Sequence, residues 1–345
     1  MIYFHLTNQD EEILYSDLPE IYYDKFQKCS VKNETFVFNG NKHRHGKMGN
    51  EHCSAYLLTN NKDVVERPRL FKEKLKVFLE FVPTIKNIES RIRTKTTTHT
   101  TRLLHNLRTL NAHNIQELFN LIPESELRQK KEDRKRFIED KVKEQIPKMP
   151  SIILNLMKNN AAIKMEFSVF GKLYGTKEKV KNQKHNIRKA LMNVLHLFFQ
   201  DFTDRNIFVE IEECNVEISI DYEILQVALY QLFDNATKYA FENSNIKISF
   251  SAGGCTFDVK IDMLSLKIED DELFKITQDG FCGRNAKKIK KNGKGIGLFV
   301  VKQVLALNNV KLNILTRIDN ECTNIRGIEY EKNRFVILFP KNLVV

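Results

Sequence analysis

The sequence predicts an α+β protein in three parts: a small mixed α/β domain over residues 1–66, a long helical hairpin over 67–168, and an α/β sandwich over 169–345. Three observations carry that expectation. Short apolar runs alternate with turn-forming stretches near the N-terminus, apolar residues then recur at helical steps over a long segment, and from about Thr176 helical and strand-like segments alternate. A chain of 345 residues has room for more than one core. Its 42% hydrophobic and 29% charged content is that of a globular protein and excludes disorder through most of the chain.

In the first part, the run TFVF at residues 35–38 reads as a strand and the stretch NGNKHRHGKMGN at 39–50 as turns. His43, His45, His52 and Cys53 lie close in sequence, but their spacing fits no standard metal site, so a polar surface loop is the expectation.

The second part opens with Leu70, Phe71, Leu75, Phe78, Val82 and Ile85, then Leu104, Leu107, Leu118 and Ile122, at steps of three, four and seven. This spacing predicts one long helix over 67–122. Pro83 is the expected place for a kink, and the Thr-rich piece at 94–101 lowers helix propensity in the middle. Pro123 and Ser125 mark a turn. A second helical stretch is expected over 124–162, interrupted by Pro147 and Pro150. Two helices with one apolar stripe each bury little alone, so the hairpin is expected to form a four-helix bundle as a homodimer.

The third part predicts helices over 185–202, 222–241 and 300–308 and strands over 207–211, 216–220, 246–250, 256–261 and 334–339, with Gly253 and Gly254 turning one strand pair. That order describes a mixed sheet with helices stacked on one face.

The net charge of +11 is spread along the chain, with clusters at residues 130–136 and 287–291 and no recognition module beside them, so specific nucleic-acid binding is not expected. No apolar run reaches the ~20 residues of a membrane span, and the N-terminus has acids where a signal peptide is basic; a cytoplasmic protein is expected. The six cysteines stand singly and read as free, mostly structural thiols.

Two segments carry chemistry. In QLFDNATKY (231–239), Leu232, Phe233 and Ala236 fit a buried helix face, while Asn235, Lys238 and Tyr239 share the other. An amide oxygen suits Mg²⁺, an ammonium reaches phosphate, and an aromatic ring lies against a base. Downstream, Asn292, Gly293, Lys294, Gly295, Ile296, Gly297 and Leu298 precede an apolar helix. There the glycines let backbone N–H groups approach phosphate at the positive helix end. The basic stretch 284–291 before them suits a lid.

These segments resemble the GHKL family of ATP-binding domains, shared by sensor histidine kinases, gyrase-type topoisomerases, Hsp90 and MutL, over roughly residues 170–340. FDNATKYA (233–240) is similar to the asparagine box and GKGIGLFVVKQV (293–304) to the second glycine box. LFKI (273–276) and GFCGR (280–284) are similar to the phenylalanine box and the arginine segment before the lid. The resemblance implies ATP and Mg²⁺, with Asn235 and Gln231 at the metal. It implies Lys238, Tyr239, Ser265, Arg284, Gly293, Lys294, Gly295, Ile296, Gly297 and Leu298 around the nucleotide.

Gln231 stands where an asparagine or a water-polarising glutamate is usual, and it cannot act as a base. Met263 stands where an aspartate accepts from the adenine amine. Base recognition is then expected from water, from backbone, or from Asp262 after a one-residue strand shift.

In the first long helix, LHNLRTL (104–110) resembles the histidine-kinase H box, which implies His105 as phosphoacceptor beside Asn106 and Arg108. His99 and His113 lack that context. Asn106 replaces the usual acid; it can orient a ring nitrogen but cannot take up a proton. The expected function is a histidine-kinase-like protein that moves the ATP γ-phosphate to His105 and on to a separate receiver or effector partner. The alternatives are a GHKL ATPase acting as a nucleotide-gated switch, or a degenerate scaffold.

Overall fold

The computed structural model describes all residues except 10, 31, 32, 52, 130–133, 176–179, 290–292, 320 and 321, and, in the long helix, the side chains at 85, 89, 92, 93, 95 and 96. His52, Ile85, Lys130, Lys290, Lys291 and Asn292 therefore lie outside the described residues. The chain divides into two compact units, Met1–Thr98 and His99–Val345.

The first unit holds β1 (Ile2–Asn8), β2 (Ile13–Ser16), α1 (Tyr23–Gln27), β3 (Glu34–Phe38), β4 (Asn41–Gly49), β5 (Cys53–Thr59), α2 (Lys62–Glu66) and the start of α3 (Pro68–Leu121). Its strands pair antiparallel in the order β2-β1-β5-β4-β3. One face buries Leu6, Ala55 and Leu57 against Phe71, Leu75, Leu79 and Val82 of α3. The other gathers Tyr22, Cys29, Tyr56 and Leu58.

The expected surface loop at 39–50 is instead the strand β4. Its pairing with β3 and β5 satisfies the backbone, and the two-residue period turns His43 and His45 to one buried face. There His43 stacks on Phe36, and the Tyr56 hydroxyl meets His45 Nδ1 at 2.9 Å.

The second unit begins with residues 99–121 of α3, which runs unbroken through Pro83 and the Thr-rich piece. It continues with α4 (Glu124–Gln129), α5 (Arg134–Glu144) and α6 (Met149–Tyr174). Pro147 lies in a short 3-10 turn and Pro150 in the first turn of α6, where a missing N–H costs nothing, so neither breaks the helix. α6 runs past the expected end at 162, because Met165 and Val169 are buried in the main core.

The expected helix over 185–202 is divided. β6 (Asn182–Asn186) pairs with β8 (Glu217–Asp221). The Asn186 side chain then accepts from the backbone N–H of Lys189 at 2.9 Å and caps α7 (Ile187–Leu195), which α8 (Phe199–Asp204) follows. β7 (Phe208–Ile211), α9 (Tyr222–Tyr239), β9 (Asn245–Ala252), β10 (Thr256–Leu266), α10 (Arg284–Lys288), α11 (Gly297–Ala306), β11 (Lys311–Leu315), β12 (Cys322–Ile325) and β13 (Ile328–Pro340) complete the unit.

The sheet order is β11-β13-β10-β9-β7, with β12 beside β13; β7 and β9 run parallel and the other pairs antiparallel. β10 turns Phe257, Val259, Ile261 and Met263 into a core shared with α6, α7, α9 and α11. This is the helix-on-sheet sandwich that the alternating pattern predicts. Asp221 fixes α9: its carboxylate accepts from the N–H groups of Glu223 and Ile224 and pairs with buried Lys172 of α6 at 2.8 Å.

Candidate functional site

Within the second unit, α9, β10, α11 and the segments between them enclose a cavity of about 510 Å³, a size suited to a small-molecule ligand. α9 presents Gln231, Asn235, Lys238 and Tyr239 to it, because burial of Leu232, Phe233 and Ala236 turns those four outward. The segment 293–298 supplies Gly293, Lys294, Gly295, Ile296, Gly297 and Leu298, and β10 supplies Met263 and Ser265. Residues of α3 and α6 line the same cavity: Arg102, His105 and Asn106, with Ala162, Glu166 and Val169.

Two glycines in this segment are required by close approach. Gly295 has φ +67°, and a Cβ there falls 2.5 Å from the Phe281 carbonyl oxygen. Its own carbonyl accepts from the Gly280 N–H at 3.1 Å, which pins the segment to the one that precedes α10. A Cβ on Gly297 falls 3.1 Å from both Gln231 Oε1 and Asn235 Nδ2. The first turn of α11 therefore lies directly on the two amides of α9. Gly293 has nothing within 4 Å of such a Cβ among the described residues, but the Cys282 thiol donates to its carbonyl at 3.0 Å.

The donor set at that junction is neutral. Gln231 and Asn235 offer two amide oxygens, and among the described residues no group of three or more His, Cys, Asp or Glu side chains is arranged to hold a metal. Such a pair fits Mg²⁺, a hard ion that keeps several waters and takes most of its remaining ligands from phosphate.

Lys238, which also lines the cavity, forms an ion pair with Asp234 on its own helix. Burial pushes the Tyr239 hydroxyl above its ordinary value, partly offset by a contact with the backbone of Gly293. Ser265 is buried, and its oxygen accepts from Asn333 Nδ2 at 3.0 Å, so its own proton is left to donate.

At the base end Met263 is 4% exposed and opposes Asn333 across the strand pair. The slip that would bring Asp262 inward is not made. β10 keeps an unshifted register with β9 and β13, so Asp262 faces the other side, in a bidentate pair with Arg334 at 2.6 and 2.7 Å.

Lys294 joins the two groups of residues. Its ammonium lies 3.0 Å from His105 Nδ1 and 2.6 Å from Asn106 Oδ1. Asn106 Nδ2 in turn donates to Glu166 Oε1 at 3.0 Å. Burial raises the Glu166 carboxyl above its ordinary value, while the Asn106 hydrogen bond and the charges of Arg102 and Lys294 oppose the rise.

Two residues of the expected set are not brought to the cavity. Arg284 is held by Asp271 and Glu272, because its position at the start of α10 turns it toward those acids. Arg108 is exposed on α3, off the lining face. Glu166 is among the lining residues that sequence reasoning missed, with Arg102, Asp234 and Glu272; no local pattern links it to Asn106. In the phenylalanine segment Ile276 lines the cavity, whereas Phe274 is 84% exposed.

With this geometry in view, residues 220–342 match the family model of histidine kinase-, DNA gyrase B-, and HSP90-like ATPases. The chain is 28% identical over 136 residues to histidine protein kinase SaeS of Staphylococcus aureus strain USA300, a match spanning 38% of each chain. Solved structures similar to it include the catalytic domain of histidine kinase ThkA, at 18% identity over 46% of this chain and 95% of that one, with a TM-score of 0.37. Another is the Acinetobacter baumannii histidine kinase AdeS, at 16% identity over 69% and 97%, with a TM-score of 0.36. The family match over 220–342 coincides with the helix, sheet and glycine segment that build the cavity, and over those residues the chain is similar to the GHKL ATPase domain of histidine kinases.

Proposed function

We propose that the protein is an ATP-dependent histidine kinase that transfers the γ-phosphate to His105 and passes it to a separate receiver or effector protein. The observation that carries this reading is the pair of contacts from Lys294, in the phosphate-binding segment, to the His105 ring and the Asn106 amide. The acceptor and the segment expected to hold phosphate thus line one cavity. In the reaction a lone pair of the His105 ring forms the N–P bond. The bond from the γ-phosphorus to its bridging oxygen breaks, and ADP leaves with those electrons. The chain's contribution is positioning and charge: the first turn of α11 and Lys294 meet the phosphates, and Tyr239 flanks the cavity. Gln231 and Asn235 would hold Mg²⁺, which supplies neutralisation of phosphate charge.

A homodimer through the hairpin belongs to the same reading. Leu104, Ile115 and Leu118 on α3 and Ile153, Met157 and Phe167 on α6 are exposed apolar side chains at helical spacing, the kind of surface a four-helix bundle covers. Among the described residues no helix is long and apolar enough to cross a membrane, and we assign the protein to the cytoplasm.

Incubation with γ-labelled ATP and Mg²⁺ is expected to give acid-labile, alkali-stable label on the wild type and none on His105→Ala. Label that persists on His105→Ala overturns the acceptor assignment. The neutral residues Gln231, Met263 and Asn106 favour a second reading, a nucleotide-gated switch. That reading wins if neither protein labels while Asn235→Asp abolishes nucleotide-dependent dimer closure; absence of any nucleotide binding leaves a scaffold.

A further inference from the structure

The residue after His105 is an amide, and an amide is ambiguous: one end donates, the other accepts, and the two have nearly the same shape. What faces Lys294 therefore depends on what holds the other end. In this protein Glu166, one helix away on α6, meets Asn106 Nδ2 at 3.0 Å. A carboxylate accepts only, so it takes the NH₂ and turns the oxygen outward, where Lys294 lies 2.6 Å away. The reversed amide sets NH₂ against the ammonium. An ammonium donates only, so at 3.0 Å from Lys294 the His105 Nδ1 is the acceptor and carries the lone pair, and the ring proton is on Nε2.

We propose that Glu166 is the positioning residue for His105: it sets the Asn106 amide with its oxygen toward Lys294, and so holds the Lys294 ammonium at the ring nitrogen that bears the lone pair. The chain Glu166, Asn106, Lys294, His105 is continuous in hydrogen bonds, and all four residues line the one cavity. Its use in phosphoryl transfer rests on the kinase reading above: the ammonium exchanges its bond to Nδ1 for the oxygens of an arriving phosphate, which brings the phosphate to that nitrogen and frees the lone pair for attack. The burial that raises the Glu166 carboxyl is the same burial that shields its bond to Asn106 from water.

The test uses the full chain and two readouts. The first is the His105 tautomer, read from imidazole ¹⁵N and ¹³C shifts assigned with His105→Ala. The second is the rate of labelling from γ-labelled ATP and Mg²⁺. Glu166→Gln keeps the shape but accepts and donates alike, so it no longer selects the Asn106 orientation. The expected results are a mixed His105 tautomer and labelling slowed about tenfold, the scale of one hydrogen bond to a charged group. Adding Asn106→Asp in the Glu166→Gln background restores both, because an aspartate presents only acceptors to Lys294 and takes its hydrogen bond from the new amide. Wild-type tautomer and rate in Glu166→Gln, or no recovery in the double variant, overturn the proposal. If the wild type does not label, the phosphotransfer reading fails, and the tautomer still decides: a shift on Glu166→Gln upholds the positioning role and no shift overturns it.

Discussion

Replacing Gly295 by alanine is expected to weaken MgATP binding by about 30- to 100-fold without unfolding the protein, and the figure follows from two contributions, the second forced by a clash. The residue sits at φ +67°, which costs a side chain about 1–2 kcal/mol. The new Cβ would lie 2.5 Å from the Phe281 carbonyl oxygen, closer than any real contact, so backbone has to move. The movement breaks the bond from the Gly280 N–H to the Gly295 carbonyl, a further loss of about 0.5–1.5 kcal/mol. Together these come to about 2–3 kcal/mol held in the segment that runs along the cavity, at about 1.4 kcal/mol per tenfold in affinity. The control is Gly293→Ala, where nothing lies within 4 Å of a Cβ among the described residues and no positive φ is required; its affinity is expected within about twofold of wild type. Titration calorimetry with MgATP gives both values, and circular dichroism checks the fold. Equal affinities for Gly295→Ala and the wild type, or equal losses at both glycines, refute the claim that this close approach shapes the site.

Met263→Asp restores an acceptor at the base end and should raise the ratio of ATP to GTP affinity, measured by competition. Because the position is 4% exposed, the same change should lower stability without nucleotide by about 1–3 kcal/mol in thermal melts. Lys172→Met leaves the buried Asp221 carboxylate without its ion pair and should cost about 3–5 kcal/mol in urea unfolding. Burial pushes the Asp221 carboxyl up, but Lys172 and the N–H groups of Lys181 and Ile224 outweigh it and hold the group below its ordinary value of 3.8. That stability is therefore present above 3.8 and lost as the pH falls through the depressed folded value, and Lys172→Met should flatten this acid dependence. Leu118→Glu combined with Met157→Glu should give a monomer in sedimentation velocity, whereas an unchanged mass removes the hairpin from the dimer interface.

Elements whose pattern is local were legible in the sequence. α9 announces itself through Leu232, Phe233 and Ala236, and α3 through a run of helical steps that neither Pro83 nor the threonines interrupt. Where pairing overrides local chemistry, the sequence misleads. His43, Arg44 and His45 look like a turn, yet neighbouring strands on both sides turn the two histidines inward. The polar run NQKHN at 182–186 gives no strand signal, and only its partner β8 makes it one. The cavity follows the same rule. Spacing places Asn235, Lys238 and Tyr239 on one face of α9, and the GHKL resemblance is what joins them to the glycine segment. Glu166 lies on another helix, and the ion pairs that take Arg284 away and engage Lys238 depend on neighbours that spacing does not reveal.

The neutral residues in the cavity form a pattern. Met263 and Asn106 stand where the resemblance leads one to expect an acid, and Gln231 stands where it leads one to expect an asparagine or a glutamate. The acids that do line the cavity, Glu166, Asp234 and Glu272, are each engaged by Asn106, Lys238 and Arg284 respectively. Among the described residues, a triphosphate entering this site meets carboxylates that are already engaged, which favours binding, and attacking water meets no unengaged carboxylate to act as a base, which disfavours hydrolysis. An imidazole nucleophile attacks through a ring lone pair and needs no base to remove a proton from that nitrogen first. On the kinase reading proposed above, this arrangement would separate the two fates of bound ATP: slow loss to water and transfer to His105 beside Lys294. A Gln231→Glu variant tests that separation directly. It should raise ATP hydrolysis relative to His105 labelling, and an unchanged ratio would show that the missing carboxylate does not set the balance.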